Sequence, residues 1–226
     1  LKIIIEQIYG SQENFDLHLQ KLRLNLEDSK ESEALENGWC VFDNKWYLSR
    51  STRINLSFYN TPKQIEGYTF EYVDNSSQLE DIKRVNCDFL AYKKFPAIYD
   101  LETDLNRTSW LLCKRDGRLC AFTKFNQYDG GLESNLTAWD YSEPAARIGA
   151  KIVDFEVQVA KDKGYKYLYI GPGCGKSAKY KSSFKGFQWW NGMEWVNDKK
   201  LYKQLCDRDD SIETIKELCQ VYAEKS

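Results

Sequence analysis

Lys166-Tyr-Leu-Tyr-Ile-Gly171-Pro-Gly-Cys174-Gly-Lys176-Ser-Ala-Lys-Tyr180-Lys181-Ser-Ser-Phe184 is a short strand-forming run that empties into a glycine-rich turn, with lysines alternating with aromatics beyond it. A strand, a glycine turn and a basic tail together suit a phosphate-bearing partner, and the spacing decides which kind. The nucleotide P-loop requires four residues between its first glycine and the glycine before lysine. Here only three separate Gly171 from Gly175, and the required first position is Ile170. Residues 178–190 also lack the apolar stripe of the helix that would complete such a site. The dinucleotide fingerprint is missing too, because no Gly-x-Gly-x-x-Gly precedes a helix.

Working outward, Glu143-Pro144 opens a helix of about twenty residues. Ile148, Ile152, Phe155, Val159 and Ala160 lie at core spacing, and Gly164 ends it. Asn135–Trp139 before it and Lys166–Ile170 after it read as strands, which predicts a parallel crossover inside a largely antiparallel sheet. Upstream, Trp110–Lys114 and Leu119–Phe125 flank an Asp116-Gly117 turn, Tyr68–Val73 alternates as a strand, and Ser76-Ser77 caps a helix running to about Tyr92. Phe187–Val196 turns at Asn191-Gly192, and Ile212–Ala223 reads as a terminal helix. The predicted class is α+β, a mixed sheet with splayed central strands over residues 67–226. That order of elements resembles the GNAT acyltransferases, in which the acyl donor enters where the strands part.

Residues 1–66 are expected to form a small α/β subdomain. Leu1–Ile8 reads as a strand, Glu13–Leu26 loosely as a helix and Ser32–Glu36 as a short helix closed by Asn37-Gly38. Cys40–Phe42 and Lys45–Leu48 form a hairpin, Arg53–Tyr59 a third strand, and Pro62 ends the unit.

Of the 226 residues 42% are hydrophobic and 29% charged, a globular composition. No apolar run reaches the roughly 18–20 residues of a spanning helix and no signal-peptide pattern opens the chain, so no membrane association is expected. Seven cysteines, an odd count without a Cys-x-x-Cys pair, predict reduced thiols and a cytoplasmic protein. Cys113 and Cys120 would face each other across the Asp116-Gly117 hairpin, either as two buried thiols or as a redox or metal pair. The net charge of −2 conceals an asymmetry: Lys161–Lys203 holds ten lysines against Asp162, Glu194 and Asp198.

The acetyl-CoA loop of GNAT enzymes, Gln/Arg-x-x-Gly-x-Gly/Ala at the start of the long helix, is incomplete. Gly149 stands at the middle glycine, but Ala146 and Lys151 occupy its flanking positions. An acyltransferase-like order without a CoA loop points to a different acyl donor.

The chain resembles the arginyl- and leucyl-tRNA–protein transferases. The resemblance rests on Asp116-Gly117-Arg-Leu119-Cys-Ala121, Ser134-Asn-Leu-Thr-Ala-Trp139-Asp140, Ile148-Gly149, Tyr167-Leu-Tyr-Ile170-Gly171, Pro172-Gly173-Cys174-Gly-Lys176 and Tyr180-Lys181-Ser-Ser-Phe184. Leu35-Glu-Asn-Gly38-Trp39 and Ser51-Thr52-Arg53-Ile54 extend it more faintly upstream. Three departures stand out. Only Cys40 lies where the family clusters cysteines that can hold a metal, so no metal centre is expected; the turn after Gly171 is about three residues short, and Asn126 replaces a frequent acid.

The resemblance implies transfer of an aminoacyl group from aminoacyl-tRNA to an amine, a protein N-terminus or another. The charged tRNA is a co-substrate and no cofactor is needed. Asp140 would orient or deprotonate the amine, or else cap the following helix. Backbone amides near Trp139–Tyr141 or Gly171–Gly173 would hold the oxyanion. Gly149, Gly173, Cys174, Lys176, Lys179, Tyr180, Lys181 and Lys185 would bind the tRNA acceptor arm, with Trp189 and Trp190 as further stacking candidates. Cys174 serves shape or, alternatively, nucleophilic attack, and His18 is structural. A CoA-dependent GNAT and a non-catalytic RNA- or protein-binding relative are the alternatives.

Overall fold

A computed structural model describes residues 2–5, 22–25, 31–42, 45–48, 50–74, 78–94, 101, 107–142 and 148–209. The strands are β1 (Lys2–Ile5), β2 (Leu22–Asn25), β3 (Trp39–Phe42), β4 (Lys45–Leu48), β5 (Ser51–Asn55), β6 (Tyr68–Val73), β7 (Thr108–Arg115), β8 (Arg118–Tyr128), β9 (Gly131–Trp139), β10 (Tyr167–Pro172), β11 (Phe187–Trp190) and β12 (Trp195–Val196). The α-helices are α1 (Glu31–Glu36), α2 (Leu79–Lys93), α3 (Ile148–Asp162) and α4 (Lys199–Asp209). The class is mixed α+β, with a four-stranded sheet and an eight-stranded mixed sheet.

The chain divides into two compact units. The first comprises Leu1–Asn55, Asp129–Gly131 and Tyr169–Ser226, and the second Leu56–Tyr128 and Leu132–Leu168. In the first unit the small sheet runs β1-β2-β4-β3, antiparallel throughout, with Ile3 opposite Leu24 and Cys40 opposite Tyr47. The helix expected over Glu13–Leu26 is thus corrected at its end. Leu22 and Leu24 are two apart, the spacing of a strand, and β2 finds partners on both edges.

The third strand is Ser51–Asn55, shorter than Arg53–Tyr59, because Leu56–Phe58 turns into a 3-10 helix. β5 pairs not with that hairpin but with β11 of the larger sheet, Ile54 opposite Phe187. Within this unit β12, β11, β5 and β10 lie in that order. Tryptophans lock it together. Trp190 lies so close to Gly38 that a side chain there would overlap the indole, and Gly38 also has the positive φ of 80° that glycine tolerates. Trp195 Nε1 donates to Glu36 O at 2.7 Å and Trp189 Nε1 to Asp198 O at 3.0 Å.

The second unit holds β9, β8, β7 and β6 side by side. Asp116 and Gly117, both at positive φ, make the expected β7–β8 turn. Helix α2 covers one face with Ile82, Val85 and Phe89 against Trp110, Leu112, Phe122 and Ala138. Sealing an aromatic of this kind from water contributes roughly 1.5–3 kcal/mol. On α3, Phe155 stacks on Phe70 of β6 at 3.5 Å, and Ile148, Ile152, Val157 and Ala160 are buried.

Helix α2 begins at Leu79, with Gln78 in the cap position and no side-chain capping bond. The expected cap at Ser76-Ser77, the Glu143-Pro144 helix start, His18 and the Ile212–Ala223 helix lie outside the described residues. Helix α4 was not expected. Among the described residues no helix is long and apolar enough to cross a membrane.

Candidate functional site

The candidate residues fall into two groups, one in each unit. In the first unit, β10 ends in the Gly171–Gly175 turn. Gly171 and Gly175 both have positive φ, 71° and 75°, which side-chain-bearing residues adopt only under strain. Gly173 is needed for another reason: a Cβ there would lie 2.5 Å from Thr52 Cγ2 and 2.7 Å from Tyr202 Oη. Thr52 Oγ1 donates to Gly171 O at 2.6 Å, and the Gly173 amide donates to Arg50 O at 2.7 Å.

A buried ion pair stands behind this turn. Arg50 forks onto Asp209 through Nη1–Oδ2 at 2.7 Å and Nη2–Oδ1 at 3.0 Å, with side-chain exposures of 2% and 0%. Asp209 Oδ2 also accepts the Gly175 amide at 2.8 Å, so one carboxylate joins the guanidinium to the turn. Tyr202 donates to Ala178 O at 3.0 Å and Cys206 Sγ to Gly173 O at 3.5 Å. Burial pushes the Cys206 thiol up to about 11, against the pull of Arg50, and drives Tyr202 well above its ordinary range. Both stay protonated near neutrality, so Cys206 is a packing thiol rather than a nucleophile.

Beyond the turn, Lys176–Ser183 forms a 3-10 helix. Lys176 and Lys185 are exposed, and Tyr180 is 61% exposed with its ring edge-on to Phe184. Lys181 instead donates to Ile170 O at 2.5 Å and Pro172 O at 2.7 Å, tying the 3-10 helix to the strand end. Lys179 pairs with Asp207 at 2.7 Å. Cys174 is half-buried. Trp189 and Trp190 are both buried, at 2% and 8%, so neither presents a face to a base.

In the second unit, Asp140 follows the end of β9. Its Oδ2 accepts Arg118 at 2.9 Å and faces Arg84 at 4.0 Å, while its Oδ1 accepts the Ser142 amide at 2.8 Å. Burial works to raise its pKa. The hydrogen bonds from Ser142 and the charges of Arg118 and Arg84 outweigh burial and hold the carboxyl below the ordinary range. A carboxylate so placed orients cations better than it accepts protons. Two of the expected oxyanion donors are already engaged, the Asp140 amide with Cys120 O and the Gly173 amide with Arg50 O, both at 2.7 Å.

Trp139 lies over Gly149, where a Cβ would come within 2.8 Å of the indole. The space a phosphate-cradling glycine would offer is therefore filled by the ring. Cys113 and Cys120 do meet, with sulfurs 3.8 Å apart, both buried and neither in a disulfide.

Sequence reasoning missed Arg50, Asp209, Arg118, Arg84 and Glu156. Glu156 is 1% exposed on α3, where Thr123 Oγ1 and Thr137 Oγ1 donate to its Oε1 at 2.6 and 3.0 Å. Burial drives its pKa upward against those hydrogen bonds and one from Ser134. An acid four residues after Ile152 and four before Ala160, inside the apolar stripe, was the signal available. Among the described residues no cluster of three or more His, Cys, Asp or Glu could hold a metal.

No protein-family model matches the chain, and no curated protein matches it. Among solved structures it is similar to the C-terminal domain of a proposed lysylphosphatidylglycerol synthetase from Agrobacterium fabrum (16% identity, TM-score 0.45, 68% of this chain and 54% of that one). It is also similar to L-PGS from Bacillus licheniformis (18%, 0.44, 70% and 58%). A third is a GCN5-related N-acetyltransferase from Kribbella flavida (16%, 0.41, 55% and 48%). The chain spans about half the length of these solved chains. None of the three is an arginyl- or leucyl-tRNA–protein transferase.

Proposed function

We propose that the protein is an acyltransferase whose donor is an aminoacyl-tRNA and whose acceptor is an amine. The observation that carries this reading is the Trp139–Gly149 contact. The glycine at the middle position of a CoA pyrophosphate loop is covered by an indole, and Ala146 and Lys151 flank it in place of the usual residues. This supports a donor other than CoA.

An aminoacyl ester is already activated, so the protein has to place an amine against the carbonyl and favour the tetrahedral oxyanion. In this reading the ionised Asp140, held by Arg118 and Arg84, orients the incoming ammonium or the donor's amino group. The Gly171–Gly175 turn, braced by Thr52, Arg50 and Asp209, fixes the end of β10. Exposed Lys176, Tyr180 and Lys185 beyond it meet the acceptor arm. Lys181 and Lys179 shape that segment through their internal bonds.

Titration calorimetry separates the donors. Charged tRNA is expected to bind in the micromolar range or tighter while coenzyme A gives no heat of binding. Micromolar binding of coenzyme A with none of charged tRNA would overturn the reading.

A further inference from the structure

At the C-terminal end of α2 three aromatic rings form a column. Phe89, 7% exposed, is its inner end, and Tyr141 stacks on it with centroids 6.0 Å apart and planes 23° apart. Tyr92 stacks on Tyr141 at 3.6 Å and 14°. Tyr92 is the outer end and is 63% exposed. Trp139 closes the side of the column, edge-on to Phe89 at 4.8 Å.

An exposed tyrosine at a helix end is ordinary in itself. This one differs in being held flat by two further rings, so its free face is already oriented and loses little freedom on binding. The helix end beside it carries two lysines. The Lys93 ammonium lies 5.7 Å from the Tyr141 centroid and 5.8 Å from that of Trp139, and Lys94 ends the helix. Arg84 and Arg118 surround the single carboxylate of Asp140, Arg84 also facing Asp81 at 3.6 Å. Asp88, one helical turn before Tyr92, and the carboxylates of Asp81 and Asp140 offset the arginines, so the cations left beside the aromatic face are Lys93 and Lys94 at the helix end, and they complement a ligand that is both flat and anionic. Unpaired nucleotides of a single strand combine those properties, whereas a peptide amine has neither; coenzyme A combines them too, and it is the covered Gly149 that disfavours it here.

We propose that Tyr92 is a stacking platform for an unpaired base of single-stranded RNA, backed by Tyr141 and Phe89, with Lys93 taking the adjoining phosphate. The proposal rests on the aminoacyl-tRNA reading and assigns the single-stranded acceptor end of the donor to this column.

The probe is a dye-labelled RNA hairpin with a short single-stranded 3′ overhang ending in adenosine, compared with the same hairpin made blunt, by fluorescence anisotropy. The parent protein is expected to prefer the overhang. Tyr92→Ala should weaken overhang binding by about tenfold to a hundredfold, the worth of one stacked base, and leave blunt binding unchanged. Tyr92→Phe, which keeps the ring, should stay within about twofold of the parent. Lys93→Ala should reduce the salt slope of binding by about 0.7. Circular dichroism confirms that each variant is folded.

Equal overhang affinity in the parent and Tyr92→Ala would overturn the platform, as would a parent that does not distinguish overhang from blunt. Loss of coenzyme A binding in Tyr92→Ala without loss of RNA binding would overturn it as well. Transfer assays in parallel separate this inference from the functional reading. A parent that transfers while Tyr92→Ala binds RNA normally refutes the platform alone. A parent that binds through Tyr92 and transfers nothing refutes the reading alone.

Discussion

Glu156 folds with its carboxyl sealed against the hydroxyls of Thr123 and Thr137, and burial favours its protonated form. Its folded pKa lies above the unfolded value. Its contribution to stability is therefore whole below the unfolded pKa and is lost as pH rises through the folded one. Glu156→Gln keeps the shape, stays neutral and still accepts both hydroxyls. It should match the parent near pH 4 and melt at higher temperature than the parent near pH 8, by about 1–3 kcal/mol of stability. A parent that is more stable than the variant near pH 8 would show that the ionised carboxylate is the favoured form. Asp140 has the opposite sign: its stabilising contribution is present above the unfolded pKa and is lost as pH falls through the depressed folded value. It is ionised throughout the neutral range and supplies no ionisation there. Asp140→Asn should slow transfer about a hundredfold or less, by releasing Arg118 and Arg84, without reshaping the pH–rate profile between about pH 5 and 8. A neutral limb that disappears in the variant would make Asp140 the general base instead.

Among the elements, the turn after β10 is the most constrained. Gly173→Ala places a methyl against Thr52 Cγ2 and Tyr202 Oη and should cost about 1–3 kcal/mol in urea unfolding. Adding Thr52→Ser removes the methyl in the way and should restore part of that loss; an unaffected single variant would show that the turn is looser than its contacts suggest. The element scale is also where the sequence could and could not be read. The β7–β8 and β11–β12 hairpins were legible because Asp116-Gly117 and Asn191-Gly192 encode their turns locally. The pairing of β5 with β11 is not legible, because Phe187, opposite Ile54, is far along the chain and strand pairing leaves no local mark. The Arg50–Asp209 pair, 159 positions apart, was invisible for the same reason. Helix α4 was overlooked because its short apolar stripe of Leu201, Tyr202, Leu205 and Cys206 is embedded in charges. The resemblance and the lysine run make Lys181 a candidate contact for the acceptor arm, and the sequence holds no mark of its bonds to Ile170 O and Pro172 O.

At the scale of the whole molecule, the expected order of strands and helices from Tyr68 to Val196 holds, and the α+β class with it. The chemistry is less legible, because one order of elements can carry many different chemistries. Under the proposed reading the features that bear on the donor are local: an indole over Gly149, a braced glycine turn with exposed Lys176 and Lys185, and an aromatic column ending at Tyr92. The most direct measurement is transfer of radiolabel from a panel of aminoacyl-tRNAs, arginyl- and leucyl-tRNA among them, to peptide and small-amine acceptors, with labelled acetyl-CoA run in parallel. The account predicts that label from at least one aminoacyl-tRNA passes to an acceptor amine in a ribonuclease-resistant amide, while acetyl-CoA gives none. Transfer from acetyl-CoA alone, or from no donor in the panel, would contradict it.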